Sequence, residues 1–189
     1  MKADLLNHAE TLARSRGIDA FSYADLAAAT GIRKASVHYH FATKADLTLA
    51  LIEDYSARII EALGHVVDQS PNAASALAGF LSLYRSALGD GDSLCLCVAF
   101  SASTNSLPAT TLARVESFRH DVTDWLVGQF QRAREDGSVH AVIDPRKEAA
   151  ALFALVEGAQ LVARASRNPD RFTDAVSQFN DRLITGAPQ

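Results

Sequence analysis

Residues 22–44 constrain the fold of this chain more than any other segment. Ser22 is a residue type that caps helix N-termini, and Asp25, three positions later, can complete a capping box. Gly31 marks the end of that short helix, because glycine tolerates the left-handed backbone of a helix C-terminus. A second short helix is predicted over residues 33–41. Two short helices joined by a tight turn indicate a helix-turn-helix.

The second of these helices presents a polar surface without acidic groups. Val37 and Phe41 lie four residues apart and form its inner face, which leaves the following side chains outside: Arg33, Lys34, Ser36, His38, Tyr39 and His40. Cations, a hydroxyl, a phenol and imidazoles suit phosphate oxygens and base edges. The alternative is an ordinary helical hairpin with a solvated face. The absence of carboxylates favours a DNA-binding surface instead.

Four short motifs lie in and around this segment. They are Ala27-x₃-Gly31, Ile32-x-Lys34-Ala35-Ser36, the aromatic cluster His38-Tyr39-His40-Phe41, and Thr43-Lys44-x₂-Leu47. With them, residues 5–52 resemble the N-terminal domain of the TetR family of transcriptional repressors, in which many members carry Tyr where this chain has His38. The resemblance implies an all-α fold, with a three-helix helix-turn-helix DNA-binding domain at residues 1–48. A helical ligand-binding and dimerisation domain follows at residues 49–189, for about nine helices in total.

The candidate DNA contacts divide into two groups. Lys34 and Ser36 are expected at base edges. Phosphate contacts are expected from Ser22 and Lys44 near helix N-termini, and from Tyr39 and His40. The full set of expected contacts is Ser22, Arg33, Lys34, Ala35, Ser36, His38, Tyr39, His40 and Lys44.

Composition and charge narrow the function further. The net charge of −4 argues against a protein that coats nucleic acid non-specifically. Residues 1–50 carry six lysines and arginines against five aspartates and glutamates, so the acidic excess lies in the rest of the chain. No uncharged apolar run reaches ~18 residues and no secretory signal is visible, which predicts no membrane span. The two cysteines form no disulfide framework. We expect a cytoplasmic protein.

Helix start and stop signals recur along the whole sequence, and no alternating strand pattern is present. Besides the two short helices, the signals predict helices at about Ala3–Arg16, Lys44–Val67, Ser70–Leu88, Asp92–Thr104, Pro108–Gly137, Asp144–Arg167 and Asn168–Gly186.

The helix that follows Asp144 indicates self-association. It is apolar around most of its circumference, and Ala150, Ala154 and Gly158 form a row of small residues that lets another helix approach closely. A second copy related by a two-fold axis would cover this face; an interior helix of a monomer is the alternative. The TetR resemblance implies a homodimer through the last two helices, with the expected interface Ala150, Ala154, Gly158, Leu161, Val176 and Phe179. Such a dimer predicts a palindromic operator with half-sites about 34–36 Å apart.

Catalytic and metal-binding patterns are missing from the sequence. His38 and His40 lie two residues apart, which points their rings in opposite directions on a helix, and no Cys, Asp or Glu completes a ligand set. A phosphate-binding loop and a nucleophile elbow are also missing. We therefore expect no metal, no cofactor and no enzymatic activity. A small-molecule enzyme with an incidental hairpin and a helical partner-binding adaptor are the competing classes.

Cys95 and Cys97 form the other unusual feature. Residues two apart on a helix face nearly opposite ways, so we expect these thiols not to bond to each other. Buried, inert cysteine is the common case. The alternative is a sensor thiol, because Asp92-Ser93 would cap a helix with Cys95 in its first turn. The segment also resembles a TetR branch with a cysteine here, which includes regulators of electrophile responses. In that branch Gly often stands where this chain has Leu94, and Glu where it has Ser103.

A helical domain joined to a DNA-binding domain is expected to bind an effector that controls it. The usual site for a small molecule is an apolar cavity with a few polar groups. Tyr84, Trp125 and Gln160 could supply the polar groups of such a cavity. The expected effector pocket comprises Phe80, Tyr84, Cys97, Phe100, Phe118, Trp125, Phe153 and Gln160. The sequence therefore predicts a homodimeric repressor that binds a palindromic operator in double-stranded DNA and is released by a small molecule. A thiol-based electrophile or redox sensor using Cys95 or Cys97 is the alternative.

Overall fold

The structure, a computed structural model, describes residues 1–184. Within that range the chain forms nine α-helices and two 3₁₀ helices, at residues 18–20 and 104–106; an isolated bridge between Val139 and Leu183 is the only β-pairing there. The α-helices are α1 (Lys2–Arg16), α2 (Tyr23–Thr30), α3 (Lys34–His40), α4 (Lys44–Asp68), α5 (Ala73–Ser86), α6 (Leu96–Ser101), α7 (Ala109–Asp136), α8 (Pro145–Ser166) and α9 (Asp170–Asn180). The all-α prediction is confirmed.

Most helix boundaries match their sequence signals. The long helices α4, α7 and α8 begin and end at or next to the predicted residues. Helix α5 starts later than the Ser70-Pro71 signal suggested, because Asn72 is its cap and accepts a hydrogen bond from the Ser75 N–H at 2.9 Å. Helix α9 ends at Asn180. Its predicted end, Gly186, lies outside the described residues.

Helix α6 is the clear departure from the sequence-based expectation. A helix from Asp92 to Thr104 was expected, whereas α6 spans only Leu96–Ser101 and Cys95 is its N-cap. The backbone at Leu94 is already occupied, since its N–H donates to the Arg14 carbonyl at 3.2 Å and its own carbonyl accepts from Arg14 Nε at 2.7 Å. The Leu94 carbonyl is therefore directed at Arg14, whereas in a helix that began earlier it would accept from the Val98 N–H. The expected Asp92-Ser93 cap does not form.

The chain divides into two compact units that interleave along the sequence. Unit 1 comprises residues 1–58 and 93–119, and unit 2 comprises residues 59–92 together with the chain from 120 onward. The predicted domains differ from these units, because they are two continuous stretches of sequence that meet after residue 48. Helices α4 and α7 each contribute residues to both units.

Each unit has its own apolar core. In unit 1 the largest fully buried side chains include Leu5, Ile18, Leu26, Leu47, Leu51, Ile52, Phe100 and Phe118. In unit 2 they include Leu63, Phe80, Phe130 and Phe172. After α9 the chain returns to the α7–α8 connection, where Arg182 Nε donates to the His140 carbonyl at 3.1 Å. The guanidinium of Arg182 also forms two hydrogen bonds with the carboxylate of Glu148, in the first turn of α8, at 2.9 and 3.0 Å.

Helix α8 has the length and apolar composition of a membrane-spanning helix. Its most apolar window is only 39% buried within the chain. The charged residues Glu157 and Arg164 interrupt its apolar sequence, so α8 contains no uncharged run long enough to span a membrane. Core helices and helices at subunit contacts share this composition, which makes it weak evidence for a membrane.

Candidate nucleic-acid interface

Helix α2 begins and ends as its sequence predicts. The Ser22 hydroxyl accepts a hydrogen bond from the Asp25 N–H at 3.3 Å, and an Asp25 carboxylate oxygen accepts from the Ser22 N–H at 2.8 Å, which completes the capping box. Gly31 ends the helix in the left-handed conformation, with φ 69°. The turn that separates α2 from α3 is therefore fixed by its own residues.

Helix α3 is anchored by its two predicted apolar residues. Val37 is fully buried and Phe41, which follows the helix, is nearly so. Tyr23 supports the same region from α2, because its hydroxyl donates to the Thr43 carbonyl at 2.6 Å. Burial, together with the nearby Asp46 carboxylate, raises the pKa of Tyr23 to about 12, so this hydroxyl remains a donor. No sequence signal indicated this contact, since Tyr23 and Thr43 lie twenty residues apart.

The outward side of α3 is available to a partner. We call the group Arg33, Lys34, Ser36, His38, Tyr39 and His40 the recognition face. Arg33, Lys34, His38 and Tyr39 are exposed, while Ser36 and His40 are half-buried. Ala35, between them, is exposed as well. At 86% exposure, the Tyr39 ring is free to contact a partner molecule over most of its surface.

Two expected phosphate ligands have partners within unit 1. The Lys44 ammonium donates to the Phe21 carbonyl at 2.8 Å and lies 4.9 Å from the centre of the Phe21 ring. The Ser22 hydroxyl also donates to Asp25, at 2.7 Å. A phosphate would share or displace these contacts, so the two residues differ from the exposed cations of the recognition face.

His38 has a structural contact as well as an exposed edge. Its ring packs edge-on against Tyr23 with 4.7 Å between ring centres, and its Nδ1 lies 3.3 Å from the Ala42 carbonyl. Tyr39 and His40 likewise meet edge to face, at 5.2 Å. The His38 ring is therefore held in place by Tyr23, whereas the Tyr39 ring packs against its neighbour His40 and stays largely exposed.

A buried thiol pair lies in unit 1 and overturns a sequence-based expectation. The sulfur atoms of Cys95 and Cys97 are 2.8 Å apart and both residues are buried. The prediction that they face opposite ways was wrong, because Cys95 precedes α6 and has an extended backbone, with φ −56° and ψ 141°. The Tyr55 hydroxyl donates to Cys95 Sγ at 3.2 Å, a contact that nothing in the sequence indicated.

An ion-pair cluster joins α1 to α4 within unit 1. Glu10 is buried and accepts hydrogen bonds from Arg14, at 3.0 Å, and from Arg58. Arg58 also contacts Asp54 at 2.9 Å. No sequence signal marks these contacts, since the Glu10–Arg58 pair spans 48 positions.

The residues of the expected effector pocket fall into both units. Cys97, Phe100 and Phe118 belong to unit 1, where the ring of Phe118 lies 5.8 Å from that of Tyr55. The remaining five belong to unit 2: Phe80, Tyr84, Trp125, Phe153 and Gln160.

The five residues in unit 2 form a connected cluster. Phe80 stacks on Trp125 with 5.8 Å between ring centres, and Tyr84 lies 4.6 Å from Phe80 and 6.3 Å from Phe153. Gln160 donates from Nε2 to the Tyr84 carbonyl at 3.1 Å. The structure thus brings these five predicted residues together.

The expected dimer contacts occupy two environments. Ala150, Ala154, Gly158 and Leu161 are exposed on α8, in the part of the chain that the structure describes. Val176 and Phe179 of α9 are buried within unit 2, although both also border surface grooves against α5 and α8, respectively.

The capped helix pair and the basic recognition face, which contains no carboxylate, define a helix-turn-helix DNA-binding protein. The family described as bacterial regulatory proteins of the tetR family matches residues 5–51. The family described as tetracyclin repressor-like, C-terminal domain, matches residues 75–179. The chain belongs to the TetR family of transcriptional regulators, which are DNA-binding proteins and not enzymes.

Solved structures agree with this assignment. A TetR-family regulator from Agrobacterium tumefaciens is 27% identical, with a TM-score of 0.89 and 96% of each chain covered. A TetR regulator from Legionella pneumophila is 26% identical, with a TM-score of 0.86 and 97% of each chain covered. E. coli NemR in its reduced form shares the fold at 23% identity, with a TM-score of 0.82 and coverage of 99% of this chain and 98% of that one. No curated protein matches the sequence significantly.

Proposed function

We propose that the chain is a repressor that binds a palindromic operator as a homodimer and is released by a small-molecule effector. The observation that carries the DNA-binding part is the recognition face, which offers exposed Arg33, Lys34 and Tyr39 and contains no carboxylate. Lys34 and Ser36 are assigned to base edges. Arg33, Tyr39 and His40 are assigned to the phosphate backbone of the DNA. Ser22, His38 and Lys44 are assigned to contacts at the edge of the interface. A DNA-binding regulator of this kind acts in the cytoplasm.

The dimer part of the proposal is supported by α8. Between residues 150 and 162 every exposed side chain is small or apolar, and three of them are large for a solvated position: Leu155 at 37%, Leu161 at 48% and Val162 at 55% exposure. Gly158 lies in the same stripe, and apart from its chain neighbours and the adjacent backbone of α8, no atom of the described chain lies within 4 Å of where its Cβ would be. A continuous apolar helix face of this kind favours an isologous contact with a second copy.

The effector part is supported by polar atoms buried in unit 2. Among the described residues, Trp125 Nε1 and Gln129 Oε1 are buried without a hydrogen-bond partner. Such atoms cost free energy unless a ligand or water satisfies them. We assign the effector to the cluster around Phe80 and Trp125, and expect it to be an apolar molecule that carries both a hydrogen-bond acceptor and a donor. Because Trp125 is the only tryptophan, its fluorescence reports binding directly in a compound screen.

The DNA-binding proposal is tested with Lys34→Ala. Fluorescence anisotropy with palindromic duplexes from the chain's own upstream region should show salt-dependent binding by the wild type. Loss of one base-edge or phosphate contact should weaken binding by about 1–3 kcal/mol, or roughly fivefold to more than a hundredfold.

Lys147→Ala is the matched control, since Lys147 is an equally flexible cation, 87% exposed on α8. It should leave operator affinity unchanged. Equal losses in both variants would show that general charge, not the recognition face, governs binding. If no duplex binds at low salt, the repressor proposal fails.

A further inference from the structure

The thiol pair in unit 1 has the geometry of a reactive dithiol. The extended backbone of Cys95 turns directly into α6, which brings its side chain to the same side as that of Cys97 and leaves 2.8 Å between the sulfur atoms. A disulfide bond is about 2.05 Å long, and a helical residue such as Leu96 holds the Cα atoms of its two neighbours about 5.5 Å apart, a separation that disulfides span. We propose that Cys95 and Cys97 form a two-electron redox site that a hydroperoxide oxidises to an intramolecular disulfide.

The surroundings assign different roles to the two thiols. Burial disfavours a thiolate at Cys95, but hydrogen bonds from Cys97 and Tyr55 outweigh it and hold the pKa of Cys95 below its ordinary value. Burial, reinforced by the neighbouring thiols, raises the pKa of Tyr55 well above its usual range, so its hydroxyl stays protonated and keeps donating. Cys95 is therefore the nucleophile and Cys97 the resolving thiol.

The reaction with hydrogen peroxide balances without a further reactant. The Cys95 thiolate attacks one peroxide oxygen, the O–O bond breaks, and hydroxide leaves as Cys95 becomes a sulfenic acid. Cys97 sulfur then attacks Cys95 sulfur, the S–O bond breaks, and the thiol proton departs with the oxygen as water. Two thiols and one peroxide give one disulfide and two waters. A dithiol reductant reverses the change.

Both cysteines are fully buried, so the oxidant needs a brief opening of the chain. Helix α6 has only six residues, and Cys95 precedes the first of them. Opening here exposes buried apolar side chains such as Leu96 and Phe100, so the rate of oxidation is limited by how often this segment opens. Hydrogen peroxide is hardly larger than water, whereas bulkier oxidants would be excluded more strongly.

Oxidation would be communicated to the helices that touch the pair. Forming the disulfide replaces the thiolate that accepts from Tyr55 of α4, and it repositions Cys95 next to Leu94, which is bonded to Arg14 of α1 through both its N–H and its carbonyl. Both α1 and α4 flank the helix-turn-helix in sequence. We expect oxidation to lower operator affinity. This consequence rests on the proposed function, whereas disulfide formation does not.

The chemical test uses the full-length reduced protein and equimolar hydrogen peroxide. Thiols are counted after unfolding in denaturant, and the peptide containing both cysteines is examined by mass spectrometry. We expect both thiols to be lost together, a peptide lighter by two hydrogen atoms, a chain that remains monomeric on non-reducing gels, and full recovery with dithiothreitol. Cys97→Ser should instead stop at a sulfenic acid that dimedone traps.

Tyr55→Phe tests the assigned role of the phenol. The substitution keeps the ring that packs against Phe118 and removes only the donor to Cys95. Thiol loss should slow by about tenfold at neutral pH, with the pH profile of the rate shifted upward, because each unit of pKa changes the thiolate fraction about tenfold. A rate and profile equal to those of the wild type would remove Tyr55 from the mechanism.

The remaining outcomes separate the two proposals. A disulfide between chains, over-oxidation of one cysteine, or no thiol loss under conditions that oxidise glutathione would overturn the redox site. If the disulfide forms but operator affinity is unchanged, the regulatory consequence is wrong. If the reduced protein binds no operator, that failure belongs to the proposed function, and the thiol count stands independently.

Discussion

Glu10 is the acidic residue on which the polar contacts between α1 and α4 converge. Its two oxygens accept from Arg14 and Arg58, and its side chain is only 11% exposed. An acidic side chain so buried is stabilising only while its cations are in place. The same Arg14 also holds the Leu94 carbonyl, so one small cluster orients three segments of unit 1.

Replacing Glu10 should therefore destabilise the fold. We expect Glu10→Ala to lower the free energy of unfolding by about 1–3 kcal/mol, less than for a fully buried pair because Arg58 is 46% exposed. Urea denaturation followed by circular dichroism measures the change. Asp54→Ala removes the exposed partner of the same Arg58 and should cost less than about 1 kcal/mol. Equal effects would contradict the role assigned to Glu10.

At the scale of helices, the N-terminus of α5 is capped from three directions within unit 2. Besides Asn72, an Asp136 carboxylate oxygen accepts from the Ala73 N–H at 2.8 Å, and the Ser138 hydroxyl accepts from the Ala74 N–H at 3.0 Å. The end of α7 thus satisfies donors that α5 cannot satisfy itself. The two helices are joined by these polar contacts as well as by their core.

The cap makes stability depend on pH in acid. Burial opposes ionisation of Asp136, but hydrogen bonds from Ser138 and Ala73 prevail and hold its pKa below the usual 3.8. Its contribution is therefore present at neutral pH and is lost as the pH falls below 3.8 through the lower folded-state pKa. Asp136→Asn should cost about 1 kcal/mol at pH ~7, and that difference should shrink in strong acid. Urea denaturation across the pH range measures it.

Asp124→Asn is the control for this pH experiment, because Asp124 lies on the same helix with its side chain exposed to solvent. It should change stability little at any pH. A loss that persists unchanged in strong acid for Asp136→Asn would mean that the amide disrupts packing, and that the charge is not responsible.

At the scale of the whole molecule, assembly is proposed to depend on the exposed stripe of α8. Gly158→Glu places a charge in this stripe, and the open space around Gly158 means that the isolated chain can accommodate it. A charge buried without a partner costs several kcal/mol, so the dimer dissociation constant should rise by about 100-fold or more. Sedimentation velocity at several protein concentrations measures this change.

Gly128→Glu is the matched variant, since Gly128 lies on α7 and a Cβ added there would also meet no atom of the described chain within 4 Å, apart from its chain neighbours and the adjacent backbone of α7. It should leave the dimer intact. Operator affinity should fall for Gly158→Glu alone. If both variants dimerise like the wild type, the stripe of α8 is not the subunit contact.

The sequence was sufficient wherever structure follows from neighbouring residues. The Ser22–Asp25 capping box and the turn at Gly31 are local features, and both were predicted correctly. Cys95 shows the opposite case. The residue before it, Leu94, is bonded to Arg14, which lies 80 positions away in the sequence, and no local signal marks the late start of α6. The contacts of Tyr55, Glu10 and Arg58 were missed for the same reason. The DNA, effector and dimer contacts remain predictions.

The interleaved composition of unit 1 has a consequence for protein engineering. When the DNA-binding and effector-binding domains of a regulator are separable, chimeras can be made that join the DNA-binding domain of one protein to the effector-binding domain of another. A graft cut after residue 48 would divide unit 1, because it takes Arg14 and Glu10 and leaves behind their partners at Leu94 and Arg58. A transplantable cassette from this chain would have to include residues 93–119 or a matching replacement for them.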